Sequence, residues 1–329
     1  MFFVAPEDIV GVDQVTAAGD ATAEALMKYP VGGILYFGKN LKTRDQVSKM
    51  IADTQSFSKI PLFISVDEEG GRVARLGSAG LIDKIPAMGK IGAMGESGIE
   101  KARETGAYLG SELSSLGFNM DFAPVADVIT VENNDDIGDR SFGTDPAAVA
   151  AMVSAEVEAM QKENICATLK HFPSNGSTET NTHYATGVCT RTLEEMRQCE
   201  FIPFKAGIDA GVDAVMVAHM AAVNVVGDNT PSTLSPVIIQ DYLRGELGFK
   251  NVVISDALNM GAITKVYSPE EAAVKAVKAG VDLILLSPDI MSAEKAVIEA
   301  VEKGEISEER IDESVLRILT LKEKRGILK

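Results

Sequence analysis

Acids and bases gather at the ends of apolar runs in this chain. Asp67 follows Leu62-Phe-Ile-Ser-Val66, Lys170 and His171 close Cys166-Ala-Thr-Leu169, His219 follows Ala214-Val-Met-Val-Ala218, and Asp256 ends Val252-Val-Ile-Ser255. Asp127 lies just beyond Phe122-Ala-Pro-Val-Ala126. After Lys170-His171-Phe172-Pro173 the chain turns polar from Ser174 to Tyr184, and His183 lies twelve residues beyond His171. A polar loop on a rigid apolar strand is where chemistry concentrates. An imidazole with an ordinary pKa near neutrality can give a proton to a leaving oxygen and later take one from water, which suits His183 to general acid/base work. A carboxylate such as Asp256, standing where three β-branched residues bury its strand, can attack an electrophilic carbon. Its alternative is an N-cap on the following helix.

Other residues have grips to offer. Asp67-Glu-Glu-Gly-Gly-Arg-Val73 puts carboxylates, each able to accept several hydrogen bonds, ahead of a Gly-Gly turn that lets the backbone come close to a ligand. Read blandly, it is a solvated acidic turn. Arg140, in Gly138-Asp-Arg-Ser-Phe142, is a multi-donor clamp or a loop brace paired with Asp139 or Asp136. Lys170 is a binding cation or half of an ion pair, and His171 a ligand contact or a satisfied core histidine. Adjacent residues on an ideal strand point to opposite faces, so both reach one site only if the chain bends at the strand end.

Positioning these groups requires a sheet. Strands are expected at Phe2–Ala5, Gly33–Phe37, Leu62–Asp67, Asn119–Val125, Ala167–Phe172, Ala214–His219, Val252–Asp256 and Leu283–Leu286. Amphipathic stretches separate them, among them Arg44–Thr54, Ile99–Leu116, Ala147–Glu163, Leu193–Ala210, Pro236–Glu246 and Glu270–Ala279. Alternating strands and helices predict a parallel α/β sheet, and eight strands match a single-domain (β/α)8 TIM barrel spanning residues 1–329. The runner-up, a doubly wound open sheet, wants a Gly-rich turn after its first strand, where this chain has Ala5-Pro-Glu7. In a parallel barrel all strand carboxyl ends share one face, which would bring the acids and bases together. The tail Ile311–Leu328, apolar at helical spacing, is expected to pack on the barrel exterior.

Composition narrows the classes. A hydrophobic content of 46% and a mean hydropathy of +0.08 predict a filled core. A net charge of −17 without a basic run argues against nucleic-acid binding. An anionic polymer would need a local basic pocket, which Arg72, Arg75, Arg140 and Lys170 could build. Cys166, Cys189 and Cys199 form no Cys-x-x-Cys and leave an odd thiol, against a disulfide framework. No run reaches the roughly 18 apolar residues of a membrane span. Localisation stays open between cytoplasm and export with a leader removed. Three histidines without a ligand spacing predict no metal, and no Gly-x-Ser-x-Gly marks a serine hydrolase.

The ordered motifs resemble family 3 glycoside hydrolases, in their bacterial β-N-acetylglucosaminidase (β-N-acetylhexosaminidase) branch. The family shows Asp-Gln/Glu-Glu-Gly-Gly-Arg-Val, Phe-Ala-Pro-Val-x-Asp, Gly-Asp-Arg-x-Phe, Lys-His-Phe-Pro-Gly-His-Gly-Asp-Thr followed by Asp-Ser-His, and Ser-Asp-(Asp/Ala)-Leu-x-Met. This chain matches them in order at Asp67, Phe122–Asp127, Arg140, Lys170–Pro173 with His183, and Asp256. It departs at Ser174, Asn175, Ser177 and Asn181.

The resemblance implies a retaining exo-glycosidase releasing terminal β-linked N-acetylglucosamine, with no cofactor. Asp256 would be the nucleophile and His183 the acid/base. Asp67, Arg75, Arg140, Lys170 and His171 would hold the sugar, from a muropeptide or a chitooligosaccharide. Trp is absent, so any stacking on the sugar falls to Tyr or Phe. In the family an Asp two residues before the catalytic His completes a dyad; here it is Asn181, and the missing charge would weaken His183 unless Glu179 replaces it. These departures keep two alternatives in view: a catalytically weakened sugar-binding barrel, and a β-glycoside phosphorylase or other β-glycosidase of the same family.

Overall fold

A computed structural model describes residues 1–29 and 31–328. Eight parallel strands form its centre: β1 (Phe2–Val4), β2 (Gly33–Leu35), β3 (Phe63–Val66), β4 (Met120–Asp121), β5 (Cys166–Phe172), β6 (Ala214–Val217), β7 (Val252–Ser255) and β8 (Ile284–Leu285). Each pairs with its sequence neighbour, and β8 also pairs with β1. A parallel bridge between Ile254 and Leu283 joins β7 to β8 and completes the ring. The expected α/β TIM barrel is therefore the fold.

Alternation along the strands divides the core in two. Phe3, Leu35, Phe63, Met120, Cys166, Met216, Ile254 and Leu285 pack together inside the barrel. Their neighbours Val4, Ile34, Ile64, Ala167, Val215, Val253 and Ile284 face the surrounding helices, as a period of two demands. Seven of the eight strands are shorter than expected, and the fifth is one residue longer, starting at Cys166. The fourth shrinks most, because Pro124 has no N–H for the ladder; pairing resumes at Val125, bridged to Lys170.

Helix signals are local and clear. Thr43 caps Arg44–Phe57, Asp145 caps Pro146–Lys162, and Ser268 with Glu271 forms a capping box on Pro269–Ala279. Gly117, at φ 97°, ends Glu96–Leu116 in the left-handed region. That helix lies so close to Pro146–Lys162 that a Cβ on Gly106 would overlap the Glu156 carbonyl. The stretch read as Leu193–Ala210 is two helices, Leu193–Arg197 and Phe201–Asp209. Pro203 explains the break: its ring would strike the carbonyl of Cys199 in a continuous helix, but is tolerated in a first turn.

The tail corrects its expectation. Helix Glu308–Lys324 does not simply coat the exterior. Ile318 and Leu321 join the interior cluster of the barrel. Lys322 Nζ donates to the carbonyls of Gly32 and Pro61, the residues preceding β2 and β3. Arg325 and Lys324 grip Asp213, just ahead of β6, while Arg317 reaches Asp282 ahead of β8. The tail is a plug in the amino-terminal end of the barrel, and the opposite end stays open. No described helix is long and apolar enough to cross a membrane.

Candidate active site

At the carboxyl ends of the strands lies a cavity of about 500 Å³. Asp67, Arg75, Arg140, Lys170, His171, His183 and Asp256 all line it, as do Asn175 and Asn181. Ser177 does not: it is buried beneath the loop, its hydroxyl donating to Glu200 at 2.5 Å. The other three departures also stay close to the loop's own scaffold. Ser174 accepts the Gly176 N–H at 3.1 Å, Asn175 N–H binds Asp127, and Asn181 turns inward to His183.

One wall is a buried ion network. Lys170 Nζ lies 2.8 Å from Asp67 and 2.5 Å from Glu69. Arg140 forks onto the same Glu69 through Nε at 2.8 Å and a terminal nitrogen at 2.9 Å. Burial opposes the charge on Glu69, but Arg140 and Lys170 outweigh it and hold the carboxyl far below its ordinary range. Burial likewise opposes the Lys170 charge, and Asp67 and Glu69 reverse the balance, raising its pKa. Arg140 therefore braces the site through Glu69 more closely than through Asp136, whose carboxylate is 4.0 Å away. Asp139 pairs with Arg72 instead, at 3.5 Å. Glu69 was present in the acidic motif but carried no separate role in the sequence reading. Its position two residues from Asp67, hence on the same face of an extended chain, was the available signal.

The acidic motif is a hairpin, Glu68–Gly70 against Val73–Ala74, turned by Gly70 and Gly71 at φ 95° and 56°. Glu68 staples it from beneath. Its carboxylate accepts the N–H groups of Leu76 and Gly77 at 2.7 and 3.1 Å, and its own N–H donates to Asp121 at 3.0 Å. This sets Arg75 4.0 Å from the free side of Asp67. Burial pushes the Glu68 carboxyl up to about 7 against those hydrogen bonds.

Lys170 and His171 both reach the cavity. The pairing of β5 with β6 shifts register between Leu169 and Phe172, so the strand bends where the sequence required it to. The peptide bond between them is cis. Asp127, completely buried, sits 2.7 Å from His171 Nδ1 and accepts the Asn175 N–H at 2.7 Å. With Nδ1–H donating to this carboxylate, Nε2 is turned to the cavity side, 3.5 Å from Arg140.

The opposite wall carries Asp256. One carboxylate oxygen accepts the Ala257 N–H at 2.8 Å; the second takes no hydrogen bond from a described residue. The Ala257 carbonyl accepts from His219 Nε2 at 2.9 Å, leaving His219 Nδ1 buried and bare. Burial raises the Asp256 carboxyl, but the imidazoles of His219 and His171, the Ala257 N–H and His183 together hold it below the ordinary value. It is thus an ionised carboxylate with one free oxygen. Burial keeps His219 low against the pull of Asp256, and its Nε2 props the Ala257 carbonyl.

His183 is the most exposed member. Its Nδ1 lies 3.0 Å from Asn181 Oδ1 and 3.8 Å from Asp136 Oδ1. The His183 and Thr182 carbonyls accept the Gly261 and Ala262 N–H groups, docking the loop onto the segment after Asp256. Glu179, the expected replacement charge, is exposed, and the described carboxylate facing His183 is Asp136.

Every cation of the cavity has an acid beside it: Arg72 has Asp139, Arg75 and Lys170 have Asp67, and Arg140 has Glu69. The basic pocket that a polyanion would need is not formed. Five carboxylates face four cations, a lining suited to a neutral ligand rich in hydroxyls. Among the described residues no three His, Cys, Asp or Glu side chains are grouped to hold a metal ion.

An eight-stranded barrel with an ionised strand-end carboxylate, a loop imidazole and a wall of paired acids and bases defines a class that sequence and structure comparisons specify. The profile described as "Glycosyl hydrolase family 3 N terminal domain" matches residues 7–321. The chain belongs to family 3 and is an O-glycosyl hydrolase of its β-N-acetylhexosaminidase group. It is 39% identical over 236 residues to a β-hexosaminidase of Stenotrophomonas maltophilia, covering 70% of this chain and 69% of the relative. A β-hexosaminidase of Tolumonas auensis is 34% identical over 268 residues, covering 81% and 78%. The solved β-N-acetylglucosaminidase from a Paenibacillus species superposes with a TM-score of 0.92 at 39% identity. That comparison takes in 99% of this chain but 61% of the Paenibacillus chain.

Proposed function

We propose that this barrel is an exo-acting, retaining β-N-acetylglucosaminidase that works through a covalent glycosyl-enzyme. The observation that carries the reading is the sharing of one cavity by Asp256, ionised with a free oxygen, and His183, whose Nδ1 is engaged so that Nε2 is left for proton transfer. Asp256 attacks the anomeric carbon while His183 gives its Nε2 proton to the departing oxygen. In the second step His183 takes a proton from water, which displaces Asp256. Asp67, Arg75, Lys170, Arg140 and His171 hold the sugar hydroxyls, their charges already balanced by one another. The named activities of the relatives support N-acetylglucosamine as the sugar, and cell-wall muropeptides and chitooligosaccharides are substrates of that chemistry. Asp136 beside His183 favours water over phosphate as the acceptor, because a fixed carboxylate repels an incoming anion.

The test is hydrolysis of aryl β-N-acetylglucosaminide beside aryl β-glucoside and β-xyloside, with and without phosphate, by the wild type and Asp256→Asn. N-acetyl-selective, phosphate-independent turnover that Asp256→Asn abolishes is expected. A phosphorylated sugar product would make the protein a phosphorylase. Sugar binding without turnover of any substrate would make it a binding protein.

A further inference from the structure

We infer that Asp136 supplies the negative charge for His183, from a neighbouring loop, in place of a carboxylate at position 181; this rests on His183 being the acid/base. Asn181 Oδ1 lies 3.0 Å from His183 Nδ1 and accepts the His183 backbone N–H at 2.9 Å. An amide oxygen so placed fixes the ring and the Nδ1–H tautomer. It brings no net charge to the imidazolium that must exist before the leaving oxygen is protonated. Asp136 Oδ1, 3.8 Å from the same nitrogen, brings that charge. The Asp136 side chain is 9% exposed, so solvent screens it less than it would a carboxylate on the open surface.

Asp136 is also held in register with the histidine loop. Asn134 Nδ2 donates to the carbonyls of Asn175 and Thr178 at 2.6 and 2.8 Å, while its Oδ1 accepts the Ile137 N–H at 2.8 Å. Thr182 Oγ1, next to His183, lies 3.5 Å from Asp136 Oδ2. Arg140 is the competing cation, but its fork is spent on Glu69 and its nearest approach to the Asp136 carboxylate is 4.0 Å. Asp136 exchanges no proton in either step. The proton travels between Nε2 and the leaving oxygen or water. It is therefore a positioning residue.

The experiment compares wild type, Asp136→Asn, Asn181→Asp, the double variant and His183→Ala on aryl β-N-acetylglucosaminides spanning good to poor leaving groups. Asp136→Asn should lower kcat/KM, which reports the step that forms the glycosyl-enzyme, by about tenfold or more on poor leaving groups and change it little on the most activated one, since only the former need general acid help there. Adding Asn181→Asp to Asp136→Asn should restore the lost turnover, because the charge returns to the same nitrogen. Wild-type kcat/KM across the series for Asp136→Asn overturns the proposal, provided His183→Ala is slow on poor leaving groups. So does an equal loss on every leaving group, or a loss that Asn181→Asp does not rescue, since both mark a merely structural role. If His183→Ala itself matches the wild type on poor leaving groups, the acid/base assignment fails instead.

Discussion

Arg140 lays its guanidinium along the carboxylate of Glu69, Nε 2.8 Å from one oxygen and a terminal nitrogen 2.9 Å from the other. Lys170 reaches the same carboxylate at Oε1, the oxygen that the Arg140 terminal nitrogen also holds. Two cations on one buried acid form a rigid wall, and the ligand meets groups that have already given up their hydration. We predict that Glu69→Gln leaves Arg140 and Lys170 short of charge and destabilises the fold by about 3 kcal/mol, the usual penalty for breaking a buried pair. Urea unfolding measures it; a midpoint unchanged from wild type would contradict the network's role.

Glu156 gives a pH-dependent prediction. Its two carboxylate oxygens are buried in helix Pro146–Lys162 with no hydrogen-bond partner, and burial, with a smaller contribution from Glu69, pushes it up to about 8. A raised carboxyl carries no penalty below its unfolded pKa. Stability is then lost as pH rises from there through the folded value, and the full penalty applies above it. Glu156→Met should therefore unfold at higher urea than wild type at pH 8.5, by up to about 4 kcal/mol, with the gap shrinking toward pH 5.5. A gap independent of pH would mean that Glu156 has a partner.

Close helix packing gives a steric prediction. Alanine normally improves a helix over glycine by about 1 kcal/mol, but at Gly106 the added methyl meets the Glu156 carbonyl. Gly106→Ala should lower Tm despite its better propensity. A raised Tm would mean that the two helices separate freely.

The tail plug predicts a contrast along one helix. Leu321→Ala, 4% exposed and in the barrel interior, should cost about 2–4 kcal/mol. Leu316→Ala, at 67% exposure, should stay within about 0.5 kcal/mol. Similar losses at both positions would argue against the plug.

The sequence was most informative where physics is local. All eight strands were legible because each is a short apolar run, and the polar ends Asp67, Lys170, His171 and Asp256 line the cavity, while Asp127 and His219 are buried behind it. Amphipathic spacing placed the helices, and the structure starts two of them, capped by Thr43 and Ser268, within one residue of the positions so read. What was not legible depended on contacts across the chain. The place of Ile318 and Leu321 inside the barrel cannot be read from helical spacing, which tells a buried face but not what covers it. Asp127 was legible as a strand-end acid and Asp136 as a brace for Arg140, but only the fold sets Asp127 against His171, Asp136 against His183 and Glu69 against Arg140. The shared direction of Lys170 and His171 needed the register shift in β5. Ser177, grouped with the loop by sequence, is turned under it by Glu200.

The most direct measurement of the central claim is to trap the enzyme with a slow fluorinated N-acetylglucosaminyl substrate and map the modified peptide by mass spectrometry. One sugar attached at Asp256 is expected, with a product of unchanged anomeric configuration during normal turnover. Attachment at another residue, or an inverted product with no adduct, would contradict it.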